Sequence, residues 1–458
     1  MRTDGRRFRI SSEKFIPLGF LVLILAGTFL LMLPFSTADG QHTSFLTALF
    51  TATTSTCVTG LVVVDTFSHW SVFGQIVILI LIQFGGLGII AVTSSVILIL
   101  KKKFSLREKL LIRDAFALST GAGLVKFLLR VLRFTFVIEL IGMLLYLPAF
   151  LPEYGFFKGL WVSLFTSVSA FCNAGLDVIG PNSLVPFCKN PLMLIVTMFL
   201  IVAGGLGYVV WFDFQTNVSG TLKKKRSVKR FLTRLSEHTK LVLVMTSLLI
   251  LIGAAGIFIM EYGNPETLGG MSFGNKILNS LFQSVTFRTA GFSTVPQESL
   301  TSGSGILGMI LMFIGGSPVG TAGGVKTVTV ALLFLNAVSF IRNRKETVVF
   351  NRNIPETLIR KATAIVSISL AVTLVLAVAL AFSNGLGALD SLYETVSATA
   401  TVGLSRAVTP GLNVIGRLII ILCMFFGRIG PITMALFFGV GFSEEKQFRH
   451  ADGDFFAG

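Results

Sequence analysis

Thr395-Val-Ser-Ala-Thr-Ala-Thr-Val-Gly-Leu404 is a small-residue stretch between a short apolar run and a long one that ends near Gly439. A single Thr-Val-Gly segment carries little weight. Its counterparts change that. Gly60, Gly175, Gly291 and Gly403 lie 115, 116 and 112 residues apart, and each is followed by an apolar residue. Ten residues before them stand Phe50, Phe165, Leu281 and Tyr393, with mostly small or hydroxyl residues between. A fixed period of this kind marks a repeated supersecondary unit. The unit reads as a short amphipathic helix, a glycine-centred loop and a long apolar helix, four times over.

Composition says where such units live. Hydrophobic residues make up 53% of the 458, charged residues only 13%, and there are 43 phenylalanines. A soluble protein of this length could not bury so much apolar surface, and several runs are long enough for the ~30 Å hydrocarbon core of a bilayer. The chain therefore reads as an all-α polytopic membrane protein.

In a soluble chain, a net charge of +16 would point to nucleic acid. Its distribution points to the membrane instead. Thirty of the 38 Lys and Arg fall in residues 2–14, 101–133, 223–240, 342–361 and 446–449. The alternate loops 35–44, 61–71, 261–275 and 292–304 carry acidic residues and no Lys or Arg. By the positive-inside rule the basic segments and both termini are cytoplasmic, against anionic lipid. No cleavage pattern precedes Pro34, so the first apolar run reads as a retained span. Cys57, Cys172, Cys188 and Cys423 have neither zinc-ligand nor disulfide spacing.

Taken in order, residues 1–15 form a cytoplasmic N-terminus and 16–100 the first unit, followed by a basic linker over 101–133. The second unit covers 134–212, with a basic linker over 213–240. The third covers 241–341, with a cytoplasmic linker over 342–361. The fourth covers 362–440, and a tail runs over 441–458. Within each unit the short helix cannot cross the bilayer and reads as re-entrant, which membranes tolerate where the backbone is buried in protein or lines water. The expected architecture is eight spans and four re-entrant helices around one pseudo-fourfold axis.

The chemistry this suits is the handling of an alkali cation. The ion must exchange its water shell for equally polar ligands, and rings of backbone carbonyls supply them. Glycine allows the positive φ that turns a carbonyl inward. Short helices can also aim their partially negative C-termini at a cation.

Two further features stand inside apolar helices. Gly315-Gly-Ser-Pro-Val-Gly-Thr-Ala-Gly-Gly-Val-Lys326 interrupts the last helix of the third unit, where Gly and Pro cannot sustain a helix. Its Gly315, Gly316, Gly320, Gly323 and Gly324 make a movable plug, with Lys326 capping carbonyls or snorkelling to the cytosol. It lacks the strand and the Gly-Lys-Ser/Thr ending of a phosphate-binding loop. Arg428, in Phe425-Phe-Gly-Arg-Ile-Gly-Pro431, is a charge inside a span, which is a functional candidate by default. It reads as a barrier in the conduction path that also anchors the plug, or as the partner of a buried acid. Arg288 precedes a glycine loop and reads as structural, turned away and paired with a carboxylate such as Asp390 or Glu394. No catalytic pair is visible, so no enzyme is expected.

These residues resemble the Trk/Ktr/HKT superfamily of potassium transporters, and within it the membrane subunits of bacterial Ktr systems. The resemblance covers about residues 16–440. It rests on Ser284-Val-Thr-Phe-Arg-Thr-Ala-Gly-Phe292, the Gly-rich interruption and Arg428. The first unit begins near residue 16, without the extra N-terminal helices of Trk-type members. The resemblance implies potassium uptake across a bacterial plasma membrane through a selectivity filter of Val58, Thr59 and Gly60, Asn173, Ala174 and Gly175, Thr289, Ala290 and Gly291, and Thr401, Val402 and Gly403. Glycine in all four loops implies potassium selectivity, since sodium-selecting HKT members carry serine in the first. Thr-Val-Gly in only one loop implies weaker discrimination. The resemblance also implies a homodimer on a cytosolic ring of nucleotide-binding, KtrA-like subunits. That ring, not this chain, would hold ATP or ADP, and a sodium dependence is open. The competing expectation is a secondary transporter with alternating access, whose broken helices would surround one midplane site.

Overall fold

The computed structural model describes residues 12–88, 124–223, 232–431 and 433–434. The tail 441–458, most of the linker 101–133 and residues 89–100 of the expected first-unit span lie outside the described residues.

The fold is predominantly helical. α1 (Ser12–Leu31) leads to the short α2 (Phe45–Cys57), a single turn α3 (Thr66–His69) and α4 (Val72–Leu87). α5 (Leu124–Tyr154), α6 (Phe156–Cys172) and α7 (Pro191–Gly205) follow in the same order, and α8 (Tyr208–Lys223) continues from α7 after a bend of 97°. Next come α9 (Glu237–Glu261), α10 (Phe273–Thr286), α11 (Ser302–Phe313) and α12 (Thr327–Ile341). A two-stranded hairpin of β1 (Val348–Val349) and β2 (Arg352–Asn353) precedes α13 (Glu356–Asn384), α14 (Ala388–Thr399) and α15 (Val414–Ile429). Among the described residues, α5, α9 and α13 are each long and apolar enough to cross a bilayer, and the bent pair α7–α8 passes the same test together.

Local sequence explains the boundaries. Ser71, Asn190, Thr301 and Asn413 cap α4, α7, α11 and α15 by accepting backbone N–H groups of the first turn. Gly88, Gly207 and Gly430 follow the ends of α4, α7 and α15 with φ of 85°, 87° and 88°. A left-handed φ of this size ends an α-helix, and glycine adopts it without a Cβ clash. The Gly-Gly-Leu-Gly and Gly-Arg-Ile-Gly breaks are therefore turns of one kind.

Each short helix packs along the span before it: α2 on α1, α6 on α5, α10 on α9 and α14 on α13. The helix after each glycine loop then packs on the next short helix, α4 on α6, α7 on α10 and α11 on α14. α15 packs back on α2 and closes the circle. The buried core lies inside this circle, with Phe50, Phe165, Phe282 and Tyr393 of the short helices fully enclosed. Exposed apolar side chains, such as Phe382 of α13 and Ile259 of α9, lie on the outside. A circle of helices buried within and greasy without is what a bilayer solvent selects.

Candidate functional site

The four short helices end at the four glycine loops. Their last turns are rich in Thr and Ser, and Thr53, Ser55, Thr395 and Thr399 return their hydroxyls to the carbonyl four residues earlier. Polar side chains are thereby buried with a partner, as burial requires.

Each loop has the same backbone signature. Val58, Asn173, Thr289 and Thr401 have φ of 56°, 60°, 65° and 52°, and Gly60, Gly175, Gly291 and Gly403 have φ of 102°, 67°, 83° and 95°. The residue between, Thr59, Ala174, Ala290 or Val402, does not share the positive φ. Alternating hands turn successive carbonyls to one side of the chain. Three of the four leading residues are β-branched or bulky types for which this region is a true outlier, costing of order 1–3 kcal/mol each. Such strain persists where surrounding structure imposes it. Here Thr59, Ala174 and Val402 donate their N–H groups back to the carbonyls of Thr54, Ser169 and Ser397 at 2.8–2.9 Å. Gly60 and Gly403 donate theirs to the hydroxyls of Thr54 and Ser397 at 3.0 and 3.1 Å.

The four glycines meet. A Cβ on Gly60 would stand 2.5 Å from Ala174 O, one on Gly175 2.6 Å from Ala290 O, and one on Gly291 2.7 Å from Val402 O. One on Gly403 would strike Thr59 O, which returns to the first loop. All four expected loop triplets are thus brought together in a closed ring, each loop facing the carbonyl of the next. The hydroxyls of Thr59, Thr289 and Thr401 are buried there without a protein partner among the described residues.

Against one side of this ring lies the Gly-rich segment between α11 and α12. It folds back on itself: Ile314 bridges Val325, Gly315 N–H donates to Val325 O, and Val325 N–H donates to Phe313 O, both at 3.0 Å. It docks on the broken helix of the second unit, where Ser317 N–H donates to Gly205 O at 2.9 Å and Thr321 N–H to Gly204 O at 3.2 Å. Tyr208 N–H donates to Val319 O at 3.0 Å. Thr321 Oγ1 reaches Phe171 O at 3.0 Å and Asn173 Oδ1 at 3.2 Å, beside the second loop. A Cβ on Gly323 would strike Thr401 Oγ1, beside the fourth.

Both basic residues assigned to this segment touch it. Lys326 Nζ donates to Ala322 O at 2.7 Å and Gly323 O at 3.3 Å, which is the carbonyl-capping arrangement rather than snorkelling. Arg428 NH1 donates to Thr321 O at 2.7 Å, and NH2 donates to Gly85 O and Gly86 O in the last turn of α4. Its partners are carbonyls, not a buried acid.

Arg288 departs from the sequence expectation. Asp390 is taken by Arg406 at 2.9 Å, and Glu394 accepts from Ser405, Thr409 and Arg406 N–H. Arg288 instead lies buried, with NH2 3.4 Å from Gly315 O. Sequence distance misleads here: Arg406 follows the fourth loop directly and reaches those acids first.

Sequence reasoning passed over Thr321 and Asn173 Oδ1, which tie the Gly-rich segment to the second loop. It also passed over Glu139, whose carboxylate is buried in α5 and accepts from Gln83 Nε2 at 3.2 Å. The available signal was a polar residue inside an apolar run.

A family model for TrkH, described as a cation transport protein, matches residues 7–450. The chain belongs to this family of cation transporters. It is 39% identical over 98% of its length to the Ktr system potassium uptake protein B of Bacillus subtilis, covering 97% of that protein. It is 36% identical to the potassium/sodium uptake protein NtpJ of Enterococcus hirae, covering 93% of each. The crystal structure of the potassium transporter TrkH from Vibrio parahaemolyticus shares the fold, with a TM-score of 0.74 over 94% of this chain and 86% of that one, at 17% identity. As a cation transporter family, it does not comprise enzymes.

Proposed function

We propose that this chain takes up potassium through an axial pore whose narrowest part is the ring of Gly60, Gly175, Gly291 and Gly403. The observation that carries this is cyclic: each glycine faces the carbonyl preceding the glycine of the next loop. Four strained loops presenting carbonyls to one point can replace the hydration shell of an alkali cation. The C-termini of α2, α6, α10 and α14 lie directly behind them and add partial negative charge. The relatives named for potassium uptake support the choice of ion, and the one named for potassium and sodium makes a sodium contribution part of the proposal.

The four units over 16–100, 134–212, 241–341 and 362–440 then supply eight spans, with both termini in the cytoplasm of a bacterium. Residues 315–326 act as the gate. Packed against the second and fourth loops, the segment lies across the way out of the ring, and Arg428 and Lys326 hold it by its carbonyls. Ordering and release of such a segment is a recognised switching mode. A cytosolic nucleotide-binding ring, acting through the basic linkers on a dimer of this chain, would set that equilibrium. The word "system" in the Ktr relatives' names supports partner subunits. Alternating access is less well supported, because two halves around one midplane site would not require four loops in a ring.

Potassium uptake in a bacterial strain stripped of its own uptake systems tests the reading. Expression of this chain with a candidate regulator should restore growth at low potassium. No restoration with membrane-inserted protein and any cognate regulator would refute it.

A further inference from the structure

The ring is fourfold, but the bracing behind its loops is not. Nine residues before the ring glycines stand Thr51, Thr166, Phe282 and Glu394, and three residues after them stand Val63, Val178, Thr294 and Arg406. A carboxylate and a guanidinium occupy these places in the fourth unit alone, whose loop is also the one that reads Thr401-Val-Gly403. Glu394 lies on α14, fully buried. Its Oε1 accepts from Ser405 Oγ–H at 2.6 Å and from Arg406 N–H at 2.8 Å, and its Oε2 accepts from Thr409 Oγ1–H at 2.6 Å. These donors surround Ala407, which has a left-handed φ of 62°. A residue with a side chain keeps such a conformation where its neighbours impose it. Ser397, also on α14, holds the N–H groups of Val402 and Gly403. One helix therefore fastens the fourth loop up to its ring glycine through Ser397 and beyond it through Glu394.

Arg406 carries this fastening across to the third unit. Its Nε–H donates to Asp390 Oδ1 at 2.9 Å, while NH1 and NH2 donate to Gln297 O and Glu298 O at 3.1 and 3.2 Å. The planar fork of a guanidinium lets one side chain hold a carboxylate and two carbonyls at once. The Gln297 side chain closes the network: its Oε1 accepts from Gln283 Nε2 of α10 at 2.6 Å and from the Tyr393 hydroxyl of α14 at 3.1 Å. A buried polar network whose members are partnered makes the segments it joins rigid.

We propose that Glu394 and Arg406 are positioning residues for ion selectivity. Together they hold the fourth loop, and the third through residues 297–298, at the width that suits potassium. This rests on the reading of the glycine ring as the narrowest part of the pore. Sodium is the smaller ion, so a loop released to move inward gains more contact with sodium than with potassium. The first and second loops have no charged residue in these two registers, so the fourth is where the ring is held most firmly. Neither residue touches the ion; each acts through the backbone that follows a ring glycine.

Melting of the full chain in detergent, with potassium or sodium chloride replacing N-methylglucamine chloride, reads ion binding without ion flux, because a bound ion stabilises the folded state. The parent should half-saturate at less potassium than sodium. Glu394→Gln keeps the shape but turns one acceptor oxygen into an NH2 group, so at least one of its donors loses its acceptor. The variant should lower the preference for potassium over sodium by about tenfold, the order of one hydrogen bond to a charged group. Arg406→Lys keeps the charge, loses the fork and should act in the same direction. Glu261 is the control: equally buried, it accepts from Asn264, Thr267 and Thr301 and braces the entry to α11 instead of a ring loop. Glu261→Gln should lower the melting temperature and leave the ion preference at the parental value. A parental preference in folded Glu394→Gln or Arg406→Lys overturns the proposal, and so does an equal loss of preference in Glu261→Gln. A parent whose melting ignores both ions refutes the ring, and the brace with it. A parent that shows the preference but no uptake refutes the uptake alone.

Discussion

Arg428→Gln tests the gate most sharply, because the structure gives the tie that would be cut. One edge of the guanidinium holds Thr321 O at 2.7 Å, and the other holds Gly85 O and Gly86 O. Glutamine is shorter and carries one amide donor group, so it cannot span from α4 to the Gly-rich segment. A hydrogen bond to a charged group contributes about 1.5–3 kcal/mol. At about 1.4 kcal/mol per factor of ten, its loss moves the docked–undocked equilibrium of the segment about ten- to a hundredfold towards undocked. If the docked segment limits flux, the maximal rate of potassium uptake should rise severalfold or more. Half-saturation should change little, because no ring residue is touched. Removing a positive charge from the pathway would raise the rate as well, and Arg428→Lys separates the two causes. Lysine keeps the charge and loses the two-sided fork. Under docking control Arg428→Lys should be as fast as Arg428→Gln; under a pure charge barrier it should resemble the parent. Rubidium uptake at matched expression, with monodispersity checked by size exclusion, reads the outcome. A well-folded Arg428→Gln protein no faster than the parent would refute the gating role.

Gly60→Ser places a Cβ 2.5 Å from Ala174 O at a φ of 102°, so one quarter of the ring must shift; sodium should compete with potassium uptake about tenfold better, and an unchanged ion preference would remove this loop from the filter. Partial deletion within residues 316–323 should raise uptake and make it less dependent on a regulator; an expressed deletion protein with parental flux and parental regulation would count against the gate. Thr321→Val loses the one hydroxyl proton that Phe171 O and Asn173 Oδ1 share, about 0.5–1.5 kcal/mol, and should raise the uptake rate less than Arg428→Gln does. Charge reversal at Lys223, Lys224 and Lys225 should weaken copurification with a cytosolic regulator, most visibly at high salt; retention equal to the parent would place that contact elsewhere.

Much of this protein was legible before any coordinate. The bilayer imposes a narrow grammar: apolar length for spans, basic residues for the cytoplasmic side, and short polar-threaded helices only where protein surrounds them. Gly60, Gly175, Gly291 and Gly403 stood out because a left-handed backbone is a local demand, met by a residue type visible in one dimension. The Gly-Pro interruption before Lys326 was visible for the same reason. The breaks at Gly88, Gly207 and Gly430 were noted, yet sequence alone does not show that they share one φ or that one bends its helix by 97°.

Pairings across the fold were not legible, because hydrogen bonds and charges choose partners by distance in space. Arg288 illustrates the limit. Two carboxylates were candidates from sequence, but Arg406 and the loop after Gly403 occupy both, leaving Arg288 with the carbonyl of Gly315. Arg428 is the converse case: it drew notice as a charge in an apolar helix, while its grip on Thr321 and Gly85 belongs to three distant stretches of chain meeting in space. Local backbone requirements and solvent preference are written residue by residue, so the sequence by itself determined the membrane class, the repeat and the glycine loops. The cyclic order in which each loop faces the next, and which carbonyl each buried cation holds, depend on helices packed far apart in the chain, and only the tertiary structure decided them.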